Sequence, residues 1–458
     1  MSDAQSALEQ AKRDIGNGAR ADLTKTKLSL LEELLNGEHR VCVTHGKRTP
    51  FVNAMRNKKS APPFLESNAL DMASFTVKEL MADAKLEARD INKLGFATVL
   101  PDRGIPAFGP ALETKLGLRD TNNPNQKLAI DRRANCITSL VIAQNIIEAM
   151  LLYGLKVGIA GGVEKMSSAA LMVDSEWEKL LIRSQQSPNF KWRRNLLSIP
   201  RKNPFNTQRA ENIFTGLSMG QSCELMVRDF GITALEQAQF AVTSHRNAAI
   251  AQAKGYLAEE IAPYLGISTD TLIRPDTDIA SIMRLKPTFR TPGIDNPTIN
   301  AATSSPLTDG AAAVVLMTEA EANARGATPL AFITGIEEAK VSDYNREGLL
   351  MAPAYAIARL LERHALKIAD IDFFELHEPF AAQFLCINKM VGPFPIDKVN
   401  PNGGAIAIGH PFAASGARYL LSVSNEVHRR SKELGRPVTA LIAVCANEGE
   451  GMALLLRS

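Results

Sequence analysis

Strand-like apolar stretches alternate with amphipathic stretches of helical length along the chain, and the alternation occurs twice. The spacing predicts a strand at 41–44, a helix near 74–86, then a passage through Asp90-Ile91-Asn92 into a strand at 95–100. Far downstream a helix near 354–366 leads through Asp370-Ile371-Asp372 into a strand at 373–376. Leu86 and Leu366 are 280 residues apart, and so are Asp90 and Asp370. The same offset sets Cys136 opposite Gly416, within the loop GHPFAASG at 409–416. Each position opens a long amphipathic helix, at about 137–153 and 414–434, and each helix stops at a glycine, Gly154 or Gly435, a residue that tolerates the left-handed conformation. Buried-strand signals follow at 156–160 and 438–444. Two similar α/β halves are expected, each a mixed sheet covered by helices.

Residues 1–38 are polar and predict a peripheral helical extension carrying no chemistry. The stretch 163–281 differs in character: it holds Arg183, Lys191, Arg193, Arg194, Arg201, Lys202 and Arg209 with no acid between 183 and 209. It then turns helical, where Ser218 with Gln221 and Thr233 with Glu236 fit the capping box, and Gly231 and Gly255 close the helices. The expected organisation is an extension at 1–38, a first half at 39–162 plus 282–318, an inserted segment at 163–281, and a second half at 319–458.

The 458 residues carry a formal net charge of only +3, which gives no support to general nucleic-acid or membrane binding. No uninterrupted apolar run reaches the roughly 18 residues of a membrane span, and the polar opening MSDAQSALEQAKRD lacks the apolar core of a secretory signal, so a cytoplasmic location is expected. Five cysteines stand at 42, 136, 223, 386 and 445, with the closest pair 59 residues apart. That spacing matches neither a zinc motif nor a disulfide framework, and no metal is expected.

Gly216-Leu-Ser218-Met-Gly220 fits the nucleophile elbow, but no strand signal precedes it, and Ser218 reads as a helix cap. Phosphate-binding, dinucleotide-binding and zinc-protease motifs are absent from the sequence. If two homologous helices start near a pseudo-twofold axis, Cys136 and His410 face one pocket. A thiol with a free pKa of about 8.5 gains nucleophilicity from a helix N-terminus and from an imidazole that takes its proton. The alternative for Cys136 is a small buried hydrophobe. Cys445 ends a buried strand before the turn Ala446-Asn447-Glu448-Gly449, whose N–H groups could stabilise an oxyanion. Its alternative is an inert strand cysteine.

Taken together, RTPF (48–51), NCIT (135–138), GGVEKMS (161–167), LSMGQSCE (217–224), SSPLTDGAAA (304–313), HEPFAAQ (377–383), NPNGGAIAIGHPFAASGAR (400–418) and CANEGEG (445–451) resemble the thiolase family from Val41 onward. HEPF is similar to the H-E-A-F form of thiolases acting on longer acyl chains, including those of fatty-acid oxidation complexes. The resemblance implies a five-layer α-β-α-β-α fold with an inserted loop domain. It also implies thiolysis of a 3-ketoacyl-CoA by CoA, or the reverse condensation, with CoA and acyl-CoA as substrates and no cofactor. On that resemblance Cys136 would carry the acyl group and His410 would accept its proton. Cys445 would protonate the departing enolate and then deprotonate CoA. His377 with His410 would serve the enolate oxyanion, and the N–H groups of Cys136 and Asn447 the acyl intermediate. Ser305, with Ser304 beside it, would contact the pantetheine arm, and Arg193 and Arg194 in the basic run would meet the phosphates of CoA. A solvated face, or a contact with an oxidation complex or membrane, is the competing account of those charges. A homodimer or tetramer is expected.

Three departures from the family pattern stand out. Ala413 and Glu448 replace glycines, and Pro379 replaces alanine. A Cβ where a loop needs φ > 0 could distort it, and a carboxylate at 448 would oppose an oxyanion if it pointed inward. A ketosynthase-like condensing enzyme, which normally lacks the second cysteine, and a weakly catalytic acyl-CoA-binding subunit are the competing expectations.

Overall fold

A computed structural model describes residues 40–55, 61–100, 105–119, 125–169, 171–173, 177–179, 182, 205–207 and 211–458. The extension at 1–38, Arg193, Arg194 and nearly all of the basic run lie outside the described residues.

The strands are β1 (Val41–Arg48), β2 (Val52–Asn53), β3 (Lys93–Ala97), β4 (Val157–Lys165), β5 (Leu171–Val173), β6 (Phe205–Thr207), β7 (Thr308–Thr318), β8 (Ala331–Lys340), β9 (Phe373–Leu376), β10 (Thr439–Ala446) and β11 (Glu450–Arg457). The first half pairs in the order β3-β4-β7-β1 and the second in the order β9-β10-β11-β8. In each order the first pair is parallel and the next two are antiparallel. The matching edges β1 and β8 then pair through Cys42–Phe332 and Val43–Ala331, which joins both halves into one path of eight strands; β2, paired to β7 off this path, makes the ninth strand of the sheet. Each half carries a bulge at a threonine, Thr44 between Val43 and His45 and Thr334 between Ile333 and Gly335. β5 and β6 form a separate two-stranded ribbon.

The longer helices are α1 (Ala69–Asp83), α2 (Phe108–Leu116), α3 (Thr138–Tyr153), α4 (Met219–Phe230), α5 (Ala234–Ala253), α6 (Ala352–Arg363), α7 (Ala381–Val391) and α8 (Phe412–Leu434). Strand residues alternate between two apolar cores, so both faces of each sheet are covered. Val315 and Met317 meet Met72, Val77 and Leu80 of α1 on the outer side of the first sheet. Val314 and Leu316 meet Leu140, Ile142 and Ile146 of α3 and Leu420 and Val423 of α8, together with Ile442, Val444 and Leu454 of the second sheet. On the far side, Leu441, Ala443 and Leu455 meet α6 and α7, with Cys223, Met226 and Phe240 from the inserted segment. The stack is five layers, with α3 and α8 in the middle. Each leucine or isoleucine fully buried there contributes roughly 2 kcal/mol.

Asn135–Tyr153 is apolar enough on average to match a membrane span by length and composition. It is the central helix, covered from two sides, and most of it is buried.

Several elements run longer than their apolar signal. β1 continues past Thr44 because its polar end pairs with β7 as far as Arg48–Ala312. β4 continues to Lys165, paired with Asp309, and so crosses the boundary drawn at 162. Ser218 and Thr233 do cap α4 and α5 in capping boxes with Gln221 and Glu236.

Candidate active site

Cys136 occupies the single helical turn Asn135–Ile137 that leads into α3. The Thr138 hydroxyl accepts from the Ala134 N–H at 2.9 Å and donates to the Asn135 carbonyl at 2.7 Å, which locks this turn. Opposite it, the first turns of α8 press against α3. A Cβ on Gly416 would meet Leu140 Cγ at 2.7 Å and Ser139 Oγ at 2.8 Å, and the Ser139 hydroxyl accepts from the Ala417 N–H. Only a glycine allows the two helix starts to approach this closely.

His410 sits between Gly409, at φ +113, and Pro411. Its N–H donates to Thr308 Oγ1 at 3.1 Å, and its ring is oriented by Ser415, whose Oγ lies 2.7 Å from Nδ1. The Ser415 hydroxyl has one proton, and that proton is donated to the Pro411 carbonyl at 2.9 Å. Ser415 therefore accepts from Nδ1–H, so Nε2 carries the lone pair. That lone pair lies 3.1 Å from Cys136 Sγ and takes a hydrogen bond from the thiol. Burial pushes the imidazole down to about 3, with Arg418 adding to the effect, and pushes the Cys136 thiol up to about 12, with Glu164 adding. The resting pair is neutral: a thiol held on a base whose charged form is disfavoured until charge develops beside it.

His377 follows β9, and its ring centroid lies 4.3 Å from that of His410. Nδ1 is bonded to the Tyr419 hydroxyl of α8. Nε2 is buried and has no hydrogen-bond partner among the described residues, in a residue 2 % exposed. Burial holds this ring well below the ordinary histidine range, with His410 and Arg418 adding. Arg418 itself is buried and paired with Glu375 at 2.7 Å. Cys136 Sγ and one ring nitrogen from each histidine lie within 4.8 Å of one another.

Cys445 lies near the end of β10, paired with Gly451 of β11. It is buried, which raises its pKa well above the ordinary thiol value, with a charge on Cys136 adding to the effect. The following turn holds Asn447, whose Oδ1 accepts from the Glu448 N–H at 2.8 Å. Cys136 and His410 therefore come together, with His377 beside them, and β10, which carries Cys445, packs against the turn of Cys136.

Two buried acids outside the expected set hold this geometry. Glu164 of β4 accepts from Leu100 N at 2.8 Å, Ala413 N at 3.1 Å, Val99 N at 3.2 Å and the Thr98 hydroxyl at 2.9 Å. It supplies the N-terminal cap that Pro411 cannot, from a different strand. Glu378 accepts from Ser244 at 2.7 Å, Asn400 at 2.5 Å and Ile406 N at 3.1 Å, and so ties down the loop that leads to His410. Ser415 lies inside a motif already singled out and Tyr419 immediately after it. They stand five and nine residues after His410 on the helix it precedes, and nothing in the sequence tells which imidazole each will meet.

The three departures are each accommodated. Ala413 is helical and fully buried, with no positive φ. Glu448 does take a positive φ of 64, but its carboxylate accepts from Asn212 Nδ2 at 2.7 Å on the inserted segment. The Pro379 carbonyl accepts from Ser305 N at 2.9 Å, which puts Ser305 next to the His377 segment. The Ser304 hydroxyl is bonded to the Asn300 carbonyl at 2.8 Å and buried, which leaves Ser305 the more accessible of the two.

Comparison with known proteins identifies the family and the fold. Residues 41–320 match the model of the thiolase N-terminal domain and 327–458 that of the thiolase C-terminal domain. A 3-ketoacyl-CoA thiolase of Shewanella amazonensis is 32% identical over 449 residues, covering 91% of this chain and 96% of that protein. One from Aeromonas salmonicida is 33% identical over 443 residues, with coverage of 91% and 96%. Among solved structures, human mitochondrial 3-ketoacyl-CoA thiolase in complex with CoA superposes with a TM-score of 0.76 at 24% identity, covering 92% of this chain and 98% of that one. The acetyl-CoA acetyltransferase of Bacillus anthracis gives the same score and identity, with coverage of 92% and 99%. Both structures share the fold.

Proposed function

Because the chain belongs to the thiolase family, we propose that it transfers acyl groups between 3-ketoacyl-CoA and CoA through a thioester on Cys136. The observation that carries this reading is the fixed tautomer of His410, which leaves a lone pair 3.1 Å from the Cys136 sulfur.

In the thiolytic direction His410 takes the proton of Cys136 as the sulfur bonds to the keto carbon. The bond between C2 and C3 of the substrate then breaks, leaving an acyl thioester on Cys136 and the enolate of acetyl-CoA. Cys445 gives its proton to the enolate carbon and next takes the proton of an incoming CoA thiol, which attacks the thioester; the Cys136 sulfur leaves, recovers its proton from His410, and the shortened acyl-CoA is released. His377 and His410 serve the enolate oxygen, and the N–H groups of Cys136 and Asn447 serve the acyl intermediate. Two thiols and two imidazoles supply nucleophile, acid and base, so the cycle calls for no metal or redox group. Ser305 would meet the pantetheine arm, and Arg193 and Arg194 the phosphates of CoA. Thiolysis is favoured over acetoacetyl-CoA synthesis by the HEPF motif, and a cytoplasmic homodimer or tetramer, with a fatty-acid oxidation complex as a possible partner, fits the family pattern.

Cys445 weighs against a ketosynthase-like enzyme, and the engagement of Glu448 by Asn212 weighs against a purely binding role. The test is thiolysis of acetoacetyl-CoA and of a longer 3-ketoacyl-CoA by wild-type and Cys136→Ala protein. Wild-type kcat is expected to exceed the variant's by a factor of at least ~10⁴. Equal rates would leave only acyl-CoA binding.

A further inference from the structure

We propose that Cys136, His377 and His410 also form a binding site for a thiophilic divalent cation of the Zn²⁺ class, which captures the sulfur and halts acyl transfer. The binding needs only the geometry; its effect on turnover rests on the reading of Cys136 as the nucleophile.

The donor set is one thiol and two imidazoles, with ligand atoms within 4.8 Å of one another and Cys136 Sγ 3.1 Å from His410 Nε2. A tetrahedral zinc ion bonds sulfur at about 2.3 Å and nitrogen at about 2.0–2.1 Å, which sets its ligands about 3.5 Å apart. Side-chain shifts on the order of 1 Å would therefore close the set around an ion. His377 Nε2 is the informative atom, because it is buried and makes no hydrogen bond with any of the described residues. Such an atom is costly unless something occupies the space it faces.

Both rings are also held from behind. Nδ1 of His410 is bonded to Ser415 and Nδ1 of His377 to Tyr419. Metal-bound histidines usually have their second nitrogen fixed in this way, which sets the ring's orientation and tautomer. For metal binding at Nε2 of His377, Nδ1–H donates to the Tyr419 oxygen. Cys136 exchanges its proton for the ion, so one proton leaves for each cation bound. The electrostatics are mixed: Glu164 acts on Cys136 and favours a cation, while Arg418 acts on both histidines and opposes it. The Glu164 carboxylate is occupied by its own hydrogen bonds and stays outside the ligand set. Three protein ligands leave a fourth position, open to water or to the sulfur of CoA. The other four cysteines are buried, so Cys136 is the accessible thiol.

The test is an optical titration of the whole chain with Co²⁺, followed by displacement with Zn²⁺ alone. One Co²⁺ per chain is expected, with a thiolate-to-cobalt charge-transfer band in the near ultraviolet that disappears in Cys136→Ser. Zn²⁺ affinity should fall at least ~10-fold in His377→Gln and by about 10-fold in Tyr419→Phe, through loss of a ligand and of its support. Absence of the band in wild type, or its persistence in Cys136→Ser, would overturn the proposal. Unchanged affinity in a folded His377→Gln protein would do the same, and Cys136→Ser decides the matter if that variant does not fold. Thiolysis should stop at saturating Zn²⁺ and return with EDTA. A Cys136-dependent band with thiolysis untouched would keep the site and overturn the role of Cys136 as nucleophile.

Discussion

At Cys136 and His410 the protonation states follow from a count of hydroxyl protons and from burial. Ser415 has one proton and gives it to Pro411, so His410 presents a lone pair to the thiol. With the imidazole pushed down to about 3 and the thiol up to about 12, neither ionises between pH 4 and 8 in the free enzyme. Alkylation of Cys136 by iodoacetamide should therefore rise steadily with pH across that range and show no step near 6.5; a plateau from pH 5 upward would indicate an imidazolium–thiolate pair and contradict the neutral one. The sign of the stability effect follows. The unfolded histidine takes up a proton below about 6.5 and the folded one refuses it until about 3, so this group withdraws stability as pH falls between those values. The histidines and cysteines themselves were legible in the sequence because their residue types announce their chemistry. Ser415 and Tyr419 were not, since a hydroxyl on a helix gives no sign of which imidazole it will meet.

At the scale of elements, α8 is the piece that brings the second half's chemistry to the first. Its start lacks a side-chain cap of its own, and Glu164 of β4 supplies one. Gly162 on the same strand has no room for a Cβ, which would lie 2.1 Å from the Ala413 carbonyl oxygen. Glu164 meets only donors, and burial pushes it up to about 7 against their pull. Glu164→Gln turns one acceptor oxygen into a donor facing donors, and should lower stability by about 1–3 kcal/mol in urea unfolding. A change under about 0.5 kcal/mol would mean that this cap does not hold the helix in place. The helix itself was readable from its period and from Gly435. The origin of its cap was not, because Glu164 lies 249 residues earlier.

For the whole molecule, the 280-residue offset proves to be a structural repeat. Asp90 and Asp370 cap equivalent turns by accepting from the backbone of Glu87 and Lys367, and Lys85 and Ala365 share a φ of 52. Strand order and bulges repeat as well; periodicity gave the two similar α/β halves, while the five-layer stacking came from the family resemblance. The ends of β1 and β4 were hidden because polar residues there are buried by partners distant in sequence. Arg48 is the clearest case: it is fully buried, with Asp270 at 2.7 and 2.8 Å and Glu260 at 2.9 Å, both from the inserted segment. Arg48→Ala would leave two buried carboxylates unpaired and should cost about 3–5 kcal/mol in denaturant unfolding, where a loss below 1 kcal/mol would show that the segment is held otherwise. What the two halves accomplish together is to set one sulfur from the first against an imidazole from the second. Incubation with acetyl-CoA followed by peptide mass spectrometry tests this most directly. An acetyl group is expected on Cys136, within the tryptic peptide spanning 134–156, and should be removed by added CoA; an acetyl group on Cys445 instead, or turnover without any adduct, would contradict it.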